Sequence, residues 1–187
     1  MSEPKRLNTD GAVKIMQHRA VGMVTIRADL SDKSVVKSIE EIVGLPLPLP
    51  RKISGGVHHG LAWMSPDELL LFCPKSKNAK QFTADLTAAI SGHSLCVDVS
   101  HARAVFALSG PAAREVFAKG APVDMARDAF TPSDFRRTRL GQVAVAFWLE
   151  DATADQFGLV SFASVQEFVF DWLVNAAQKG SLPAFLI

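Results

Sequence analysis

The sequence predicts an α+β protein made of two packed modules, and three observations lead to that fold class. Strand-like alternation and helix-like spacing of apolar residues follow one another twice along the chain. Glycine and proline residues separate these segments, as they do where strands and helices meet turns. Hydrophobic residues form 48% of the 187 residues and charged residues 21%, so the chain can bury a core of its own.

The first module is predicted over residues 21–100, after a flexible N-terminal arm over residues 1–20 that is charged and shows little periodicity. Its start alternates apolar and polar residues, the pattern of a half-buried strand. A helix then begins at Ser31 or Asp32 and ends at Gly44. The apolar residues of this helix share one stripe: Val35, Val36, Ile39, Ile42 and Val43.

Extended and paired segments are predicted for the rest of the first module. The Leu-Pro repeats of residues 45–50 favour an extended strap, because proline excludes the helical conformation from the residue before it. Two apolar runs joined by Pro66-Asp67 predict a hairpin with a type I turn. A helix with an Asn78–Gln81 capping box and a strand near 95–100 complete the order β-α-β-β-α-β, the ferredoxin-like arrangement.

The second module is predicted over residues 101–187 with the order β-α-β-β-β-α. Its first strand leads through Gly110-Pro111 into a helix, because proline favours the first helical position. A hairpin follows over residues 136–149, with Gly141-Gln142 at its tip as a type II′ turn prefers. A capping box of Ser164 and Glu167 predicts the start of a long final helix.

Charge and cysteine content exclude several classes of protein. The net charge of +1 provides no basic field for nucleic acid or for an anionic membrane surface. No apolar run is long enough to cross a bilayer, and the N-terminus lacks the apolar region of a secretory signal. Cys73 and Cys96 each lie in an apolar strand-like run, which favours reduced thiols in a cytoplasmic protein, although a disulfide between them is possible on number alone.

Motifs for self-contained chemistry are missing from the sequence. It has no CxxC or HExxH pattern for a metal, no GxSxG nucleophile elbow and no GxGxxG phosphate loop. We therefore predict no catalytic residue and no metal site. Asp98 and Ser100 share one strand face, where they either contact a polar ligand or form a hydrogen-bonded corner, and the corner is the favoured interpretation.

The hairpin over residues 136–149 offers one candidate ligand surface. With a two-residue loop, Leu140 pairs with Val143, so that Arg137 and Arg139 share a face with Trp148. Two arginines beside a tryptophan form a cationic shelf that could accept a carboxylate, such as a folate tail or an acidic side chain of a partner. The alternative is a solvated sheet face with a tryptophan lid.

The last helix and the C-terminus predict a partner surface. One apolar stripe can serve the core and consists of Val165, Phe168, Val169, Trp172, Leu173 and Ala176. A second stripe and the apolar tail exceed what a core of this size requires, and large exposed apolar surfaces mark interfaces. The residues predicted to contact a partner are Phe170, Val174, Ala177, Phe185, Leu186 and Ile187.

The stretch between the two modules carries a family resemblance. Residues 98–115, DVSHARAVFALSGPAARE, resemble the DxSH…xLxGPxA segment of the folate-dependent aminomethyltransferase superfamily, to which the glycine-cleavage T-protein belongs. Three further segments resemble the gamma subunit of heterotetrameric sarcosine oxidase and stand in the same order. These segments are Thr25-Ile26-Arg27, residues 63–71 and residues 138–143.

This resemblance implies a fold like the N-terminal part of an aminomethyltransferase and a subunit without cofactors of its own. The assembly it implies oxidises sarcosine, which is N-methylglycine, to glycine and passes the one-carbon unit to tetrahydrofolate. FAD, FMN, NAD and tetrahydrofolate are then expected in partner subunits, and zinc in the smallest one. The expected partners are the alpha, beta and delta subunits, with alpha in direct contact.

The same superfamily offers two other functions. A stand-alone aminomethyltransferase-like protein would bind folate itself, but the chain is short for that family and lacks its additional C-terminal domain. A folate-dependent iron–sulfur maintenance factor would carry a cysteine in a KGCYxGQE-like segment. Neither Cys73 nor Cys96 has such neighbours.

Overall fold

A computed structural model describes residues 5–75 and 78–186, which form two compact units. The inserted unit is the contiguous segment Val21–His101. The discontinuous unit combines the residues before it with those from Ala102 onwards. Each unit has its own antiparallel sheet and its own apolar core, in agreement with the predicted α+β class.

The described residues form eleven strands and four α-helices. The strands are β1 (Arg6–Asn8), β2 (Lys14–Gln17), β3 (Met23–Arg27), β4 (Ile53–Gly56), β5 (His59–Ser65), β6 (Glu68–Phe72), β7 (Leu95–Asp98), β8 (Arg103–Ser109), β9 (Phe135–Leu140), β10 (Val143–Asp151) and β11 (Gln156–Phe162). The helices are α1 (Lys33–Val43), α2 (Ala79–Ala89), α3 (Ala113–Ala118) and α4 (Gln166–Ala176), the last preceded by a 3₁₀ turn at Ala163–Val165.

The inserted unit is a five-stranded sheet in the order β4-β5-β6-β3-β7, with α1 and α2 packed on one face. The sequence did not predict β4, which lies at the edge beside β5. Its pairing depends on Gly55 and Gly60, which are register partners: a β-carbon on Gly55 would stand 2.2 Å from the carbonyl oxygen of His59. The remaining four strands and two helices follow each other in the predicted β-α-β-β-α-β order.

Both helices of the inserted unit are capped by side chains. The Asp32 carboxylate accepts a hydrogen bond of 2.7 Å from the backbone N–H of Ser34, and the helix stops at Gly44 with a φ of 73°. The Asn78 side chain likewise accepts a hydrogen bond of 2.8 Å from the backbone N–H of Gln81. Because such caps involve residues two or three apart, the sequence predicts both helix starts.

The discontinuous unit is a six-stranded sheet in the order β1-β2-β8-β11-β10-β9, with α3 and α4 contributing to its apolar core. Phenylalanines form the centre of that core: the rings of Phe117 and Phe147 are stacked with centroids 4.5 Å apart, and Phe117 also contacts Phe157. The side chain of Arg114 lies buried beside them. Its Nε donates to Asp155 over 2.8 Å, and Nη1 donates to the carbonyl oxygen of Met125 over 2.9 Å.

The structure corrects the prediction of a flexible arm for the described part of residues 1–20. Residues 6–8 and 14–17 are strands, and β2 pairs with β8 from Lys14↔Ser109 to Gln17↔Phe106. Val13 and Ile15 are buried in the core of the discontinuous unit. The signal was missed because two short strands carry too few apolar residues for a periodicity, and their partner strand lies far along the chain.

Two helix starts also differ from the prediction. The helix expected from Pro111 begins at Ala113, after a turn opened by Gly110 with a φ of 129°. The capping box of Ser164 and Glu167 does not form, since α4 has no side-chain cap and follows the 3₁₀ turn. Glu167 instead forms an ion pair with Arg6. A distant tertiary contact therefore replaces the local one.

Candidate functional site

The outer face of α4 carries exposed aromatic surface. The side chain of Phe168 is 53% exposed, and Trp172 is half-buried beside it, one helical turn further on. They line an open groove of about 440 Å³. The other lining residues are Lys119, Asp171, Asn175 and Ala176. An apolar groove with a polar rim is the usual form of a protein-binding surface.

Trp172 is held in the groove by a close approach to two glycines. A β-carbon on Gly120 would lie 2.5 Å from Cζ2 of its indole, so the ring occupies the space that a side chain would need. Nε1 of the same ring lies 4.0 Å from the β-carbon position of Gly141. One wall of the groove is therefore the indole ring of Trp172, which packs next to the backbone of Gly120 and Gly141.

Lys119 connects the groove to the tail. Its Nζ donates to the carbonyl oxygen of Ala176 over 2.7 Å and to Oγ of Ser181 over 2.8 Å. The first bond satisfies a carbonyl at the C-terminal end of α4, where a positive charge is favourable. The second fixes the chain just after the helix, so the tail leaves α4 in a defined direction.

A buried carboxylate holds the tail itself. Glu115 on α3 is 1% exposed, and its two carboxylate oxygens accept hydrogen bonds from the backbone N–H groups of Ala184 (3.0 Å) and Leu186 (2.8 Å). Leu186 then packs against the core, while the side chain of Phe185 between them is 86% exposed. The tail is thus anchored on both sides of one projecting aromatic residue.

The structure corrects the assignment of two predicted partner residues. Phe170 and Ala177 are 6% and 0% exposed and belong to the core of the discontinuous unit. The N-terminal segment covers them: the guanidinium of Arg6 lies 4.0 Å from the centroid of the Phe170 ring, and the backbone N–H of Ala12 donates to the carbonyl oxygen of Ala177 over 2.8 Å. The second stripe of α4 is therefore used inside the chain.

The remaining predicted partner residues are placed as follows. Val174 and Leu186 are partly buried and pack against the core, and Phe185 is exposed. Ile187 lies outside the described residues. Helical spacing predicts Phe168 and Trp172 on the core stripe. Trp172 does pack against the core while it also lines the groove, whereas Phe168 is exposed at the groove. Helical spacing identifies the stripes, but it does not tell which stripe a distant strand will cover.

The predicted cationic shelf is only partly present. The hairpin has the predicted register, with Leu140 opposite Val143 and Arg137 opposite Ala146, and the side chains of Arg137 and Arg139 are exposed. Trp148 is 0% exposed, however, and its indole Nε1 donates to Glu150 over 3.0 Å. It cannot serve as an open lid for a ligand, so the shelf is reduced to two arginines on a strand.

Asp98 and Ser100 form a hydrogen-bonded corner, which was the favoured interpretation. The Asp98 carboxylate accepts from the backbone N–H of Ser100 over 2.9 Å and from its hydroxyl over 2.5 Å. Oγ of Ser100 in turn accepts from the backbone N–H of Met23 over 3.0 Å. The two residues therefore connect the end of β7 to the start of β3.

Both cysteines are free thiols, Cys73 buried and Cys96 half-buried. Burial raises the pKa of the Cys96 thiol above its ordinary value of 9.0, and a hydrogen bond with the Thr87 side chain lowers it in part. Within residues 5–75 and 78–186, no three histidine, cysteine or acidic residues come close enough together to hold a metal ion. No helix in the same ranges has the length and apolar character to span a bilayer.

Comparison with known proteins identifies the family. The model of the sarcosine oxidase gamma subunit family matches residues 27–179. The chain belongs to this family. Among curated relatives, the sarcosine oxidase subunit gamma of Corynebacterium sp. (strain P-1) is 30% identical over 176 residues, which is 92% of this chain and 83% of the relative. The corresponding subunit of an Arthrobacter species is 28% identical over 94% of this chain and 85% of its own length.

Solved structures agree on the fold. The chain matches heterotetrameric sarcosine oxidase from Corynebacterium sp. U-96, in complex with pyrrole 2-carboxylate, with a TM-score of 0.80 at 24% identity; the match covers 94% of this chain and 88% of that one. Glycine cleavage system aminomethyltransferase T from Bartonella henselae matches with a TM-score of 0.57 at 14% identity, over 89% of this chain and 46% of that one. The family and the α+β class predicted from the sequence are both confirmed.

Proposed function

We propose that this chain is the gamma subunit of a heterotetrameric sarcosine oxidase and has no catalytic role of its own. The observation that carries the proposal is the family match over residues 27–179, joined to a shared fold over 94% of the chain. The assembly would demethylate sarcosine oxidatively to glycine and pass the one-carbon unit to tetrahydrofolate. The family match also favours this function over a stand-alone folate-binding aminomethyltransferase.

The proposed role is structural support of the partner subunits. FAD, FMN, NAD and tetrahydrofolate are proposed to bind in those subunits. On this chain, only the charged part of the predicted folate shelf is exposed. Arg137 and Arg139 are exposed, but Trp148 is buried and hydrogen-bonded to Glu150. A flat folate ring would find no exposed tryptophan to stack on there.

The proposed contact with the alpha subunit is made by the α4 groove and the projecting tail. Phe168 and Phe185 offer exposed aromatic side chains, a residue class that is enriched in protein interfaces. Glu115 holds the tail around Phe185 before any partner arrives, so less conformational entropy is lost on binding. Both features belong to the discontinuous unit.

Coexpression with the alpha, beta and delta subunits tests the function. We expect this chain to copurify with them on a sizing column at about one copy of each chain, in a yellow complex that oxidises sarcosine. Leaving this chain out should lower the yield or stability of the complex without changing the flavin spectrum of what remains. A lone, colourless chain that retains tetrahydrofolate would overturn the proposal in favour of a stand-alone folate protein.

A further inference from the structure

The edge strand β7 of the inserted unit has open backbone groups. In its antiparallel pairing with β3, Val97 lies opposite Thr25 and Leu95 opposite Arg27, and the N–H of Val99 donates to the carbonyl oxygen of Met23 over 2.9 Å. Along such a ladder, hydrogen-bonded residue pairs alternate with pairs that are not hydrogen-bonded to each other. Cys96 and Asp98 belong to the second kind, so their backbone N–H and C=O groups point away from β3. No described residue pairs with them.

The other three sheet edges carry positively charged side chains, which hinder the addition of a further strand. These charged residues are Lys5 and Arg6 at β1, Arg51 and Lys52 before β4, and Arg136, Arg137 and Arg139 on β9. β7 has none. Its one charged residue, Asp98, turns its carboxylate back onto Ser100. β7 is therefore the edge that has no positively charged side chain to hinder strand addition.

Both sides of this edge offer apolar surface for an added strand. Leu95 and Val97 are 55% and 39% exposed on the side of the sheet away from the helices. On the helix side, a trough of about 520 Å³ runs between α2 and the end of β7. Its lining consists of small or short side chains, Thr83, Ala84, Thr87 and Ala88, between Lys80 and Asp98.

We propose that the β7 edge binds an extended segment of a partner subunit as an additional β-strand. Only a strand matches outward N–H and C=O groups at every second residue. Alternate side chains of the segment would enter the trough, and the rest would pack on Leu95 and Val97. The short side chains of the trough leave about 520 Å³ of space, so the segment has apolar residues at alternate positions. Because one end of the trough carries Lys80, the segment has an acidic residue opposite it. The choice of occupant rests on the function proposed above.

Hydrogen exchange of the complete complex tests the contact directly. The amides of Cys96 and Asp98 should exchange quickly in the isolated chain and at least about tenfold more slowly in the complex, since a strand hydrogen bond protects them. The amides of Val97 and Val99 are bonded to β3 and serve as references in the same strand. Equal exchange at Cys96 and Asp98 in both samples would overturn the strand addition while leaving the gamma-subunit function intact.

A matched pair of substitutions tests the backbone bond. Cys96→Pro removes one outward N–H and leaves the bonds to β3 in place, whereas Cys96→Val loses the same thiol but keeps the N–H. We expect Cys96→Pro to weaken assembly by about five- to tenfold relative to Cys96→Val. Equal assembly of the two variants, with melting curves alike, would contradict the proposal.

A second pair avoids the strand altogether in case Cys96→Pro unfolds. Ala84→Trp fills the trough from the exposed side of α2, and Ala89→Trp places the same ring on an exposed position of that helix outside the trough. Assembly should weaken for Ala84→Trp alone. Unchanged assembly for both would overturn the strand addition. A wild-type chain that never joins the other subunits would overturn the proposed function, and the assigned occupant with it.

Discussion

The indole ring of Trp148 lies against the α-carbon of Gly158, its pairing partner on the neighbouring strand. A β-carbon on residue 158 would stand 2.1 Å from Cζ2 of the ring and 2.3 Å from Cε2. The ring is further fixed by its hydrogen bond to Glu150 and by stacking with Phe135, whose ring centroid lies 6.1 Å away. Glycine is therefore required at 158 by the approach of a buried ring rather than by an unusual backbone angle.

Gly158→Ala should destabilise the protein by about 1–3 kcal/mol, because the added methyl group displaces a fully buried ring. The free energy of unfolding in urea measures the effect. Trp148→Leu costs stability as well, but it removes the clash. The double variant should therefore lose clearly less than the sum of the two single losses. Simple additivity of the two losses would show that the two residues do not share this space.

Glu115→Ala should release the C-terminal tail, because two backbone N–H groups lose their acceptors. We expect a loss of about 1–3 kcal/mol of stability and faster cleavage by chymotrypsin at Phe185 in the native protein. Glu115→Gln keeps one acceptor oxygen, so its stability and its rate of cleavage should lie between those of the wild type and of Glu115→Ala. Glu41→Gln, on an exposed face of α1, is the control. It removes only an exposed ion pair with Lys37, so stability should change by less than about 0.5 kcal/mol and the rate of cleavage should stay the same. A tail equally protected in Glu115→Ala would contradict the anchoring.

Phe168 and Phe170 are two residues apart on α4 and should behave in opposite ways. Phe170→Ala should cost about 3–5 kcal/mol, since it empties a core site over which Arg6 is stacked. Phe168→Ala should leave the melting temperature nearly unchanged and weaken assembly with the alpha subunit by about tenfold or more. Phe185→Ala should act like Phe168→Ala.

The exposed aromatic residue Phe162 supplies the control for these variants. It is 49% exposed and lies in the same unit, with Arg103 over its ring, but it is outside the groove and the tail. Phe162→Ala should change assembly far less than Phe168→Ala. If all three exposed phenylalanines had the same small effect, the groove and tail would not be the surface that binds the alpha subunit.

The Cys96 thiol gives a pH dependence with a defined sign. Its pKa is raised in the folded protein, chiefly by burial, so the folded state binds the proton more tightly than the unfolded state. The stabilising contribution is complete below the ordinary pKa of 9.0 and decreases as the pH rises above it, because the unfolded chain then loses the proton first. The Cys73→Ala variant keeps Cys96 as its only thiol. Above pH 9.0 its free energy of unfolding should therefore fall more than that of a variant lacking both thiols.

Alkylation by iodoacetamide provides a second measurement on the Cys73→Ala variant. The rate at Cys96 should rise with pH at a higher midpoint in the native protein than in urea, because only the thiolate reacts. The same midpoint under both conditions would mean that the fold does not hold the thiol in its neutral form. Absolute rates alone do not decide the matter, since partial burial also slows access of the reagent.

The comparison between sequence and structure separates local from distant interactions. The register of β9 and β10 was predicted, because a two-residue turn at Gly141-Gln142 fixes it within a few residues. The caps of α1 and α2 were predicted for the same reason. By contrast, the burial of Phe170 depends on β1, and the ion pair that fixes β1 to α4 joins Arg6 to Glu167, 161 positions apart.

The candidate site shows the same division. Glu115 and Lys119 could not be recognised as tail ligands from spacing, because their partners begin more than fifty residues later in the chain. Trp148 was assigned to the correct sheet face, but its exposure depends on what covers that face and not on the strand period. Periodicity therefore gives the direction of a side chain, and long-range packing decides whether it meets water.

The pairing of β2 with β8 has a consequence for the order of events during synthesis. Residues 14–17 leave the ribosome before their partners at 106–109, which follow only after the whole of Val21–His101 has been made. The contiguous unit can fold as soon as it emerges, since domains generally fold as units during translation. β2 therefore has no strand partner until β8 has been made. The hydrogen bond from Ala12 to the carbonyl oxygen of Ala177 can form only after residue 177 has been made. The segment that precedes the contiguous unit is thus among the last to reach its native contacts.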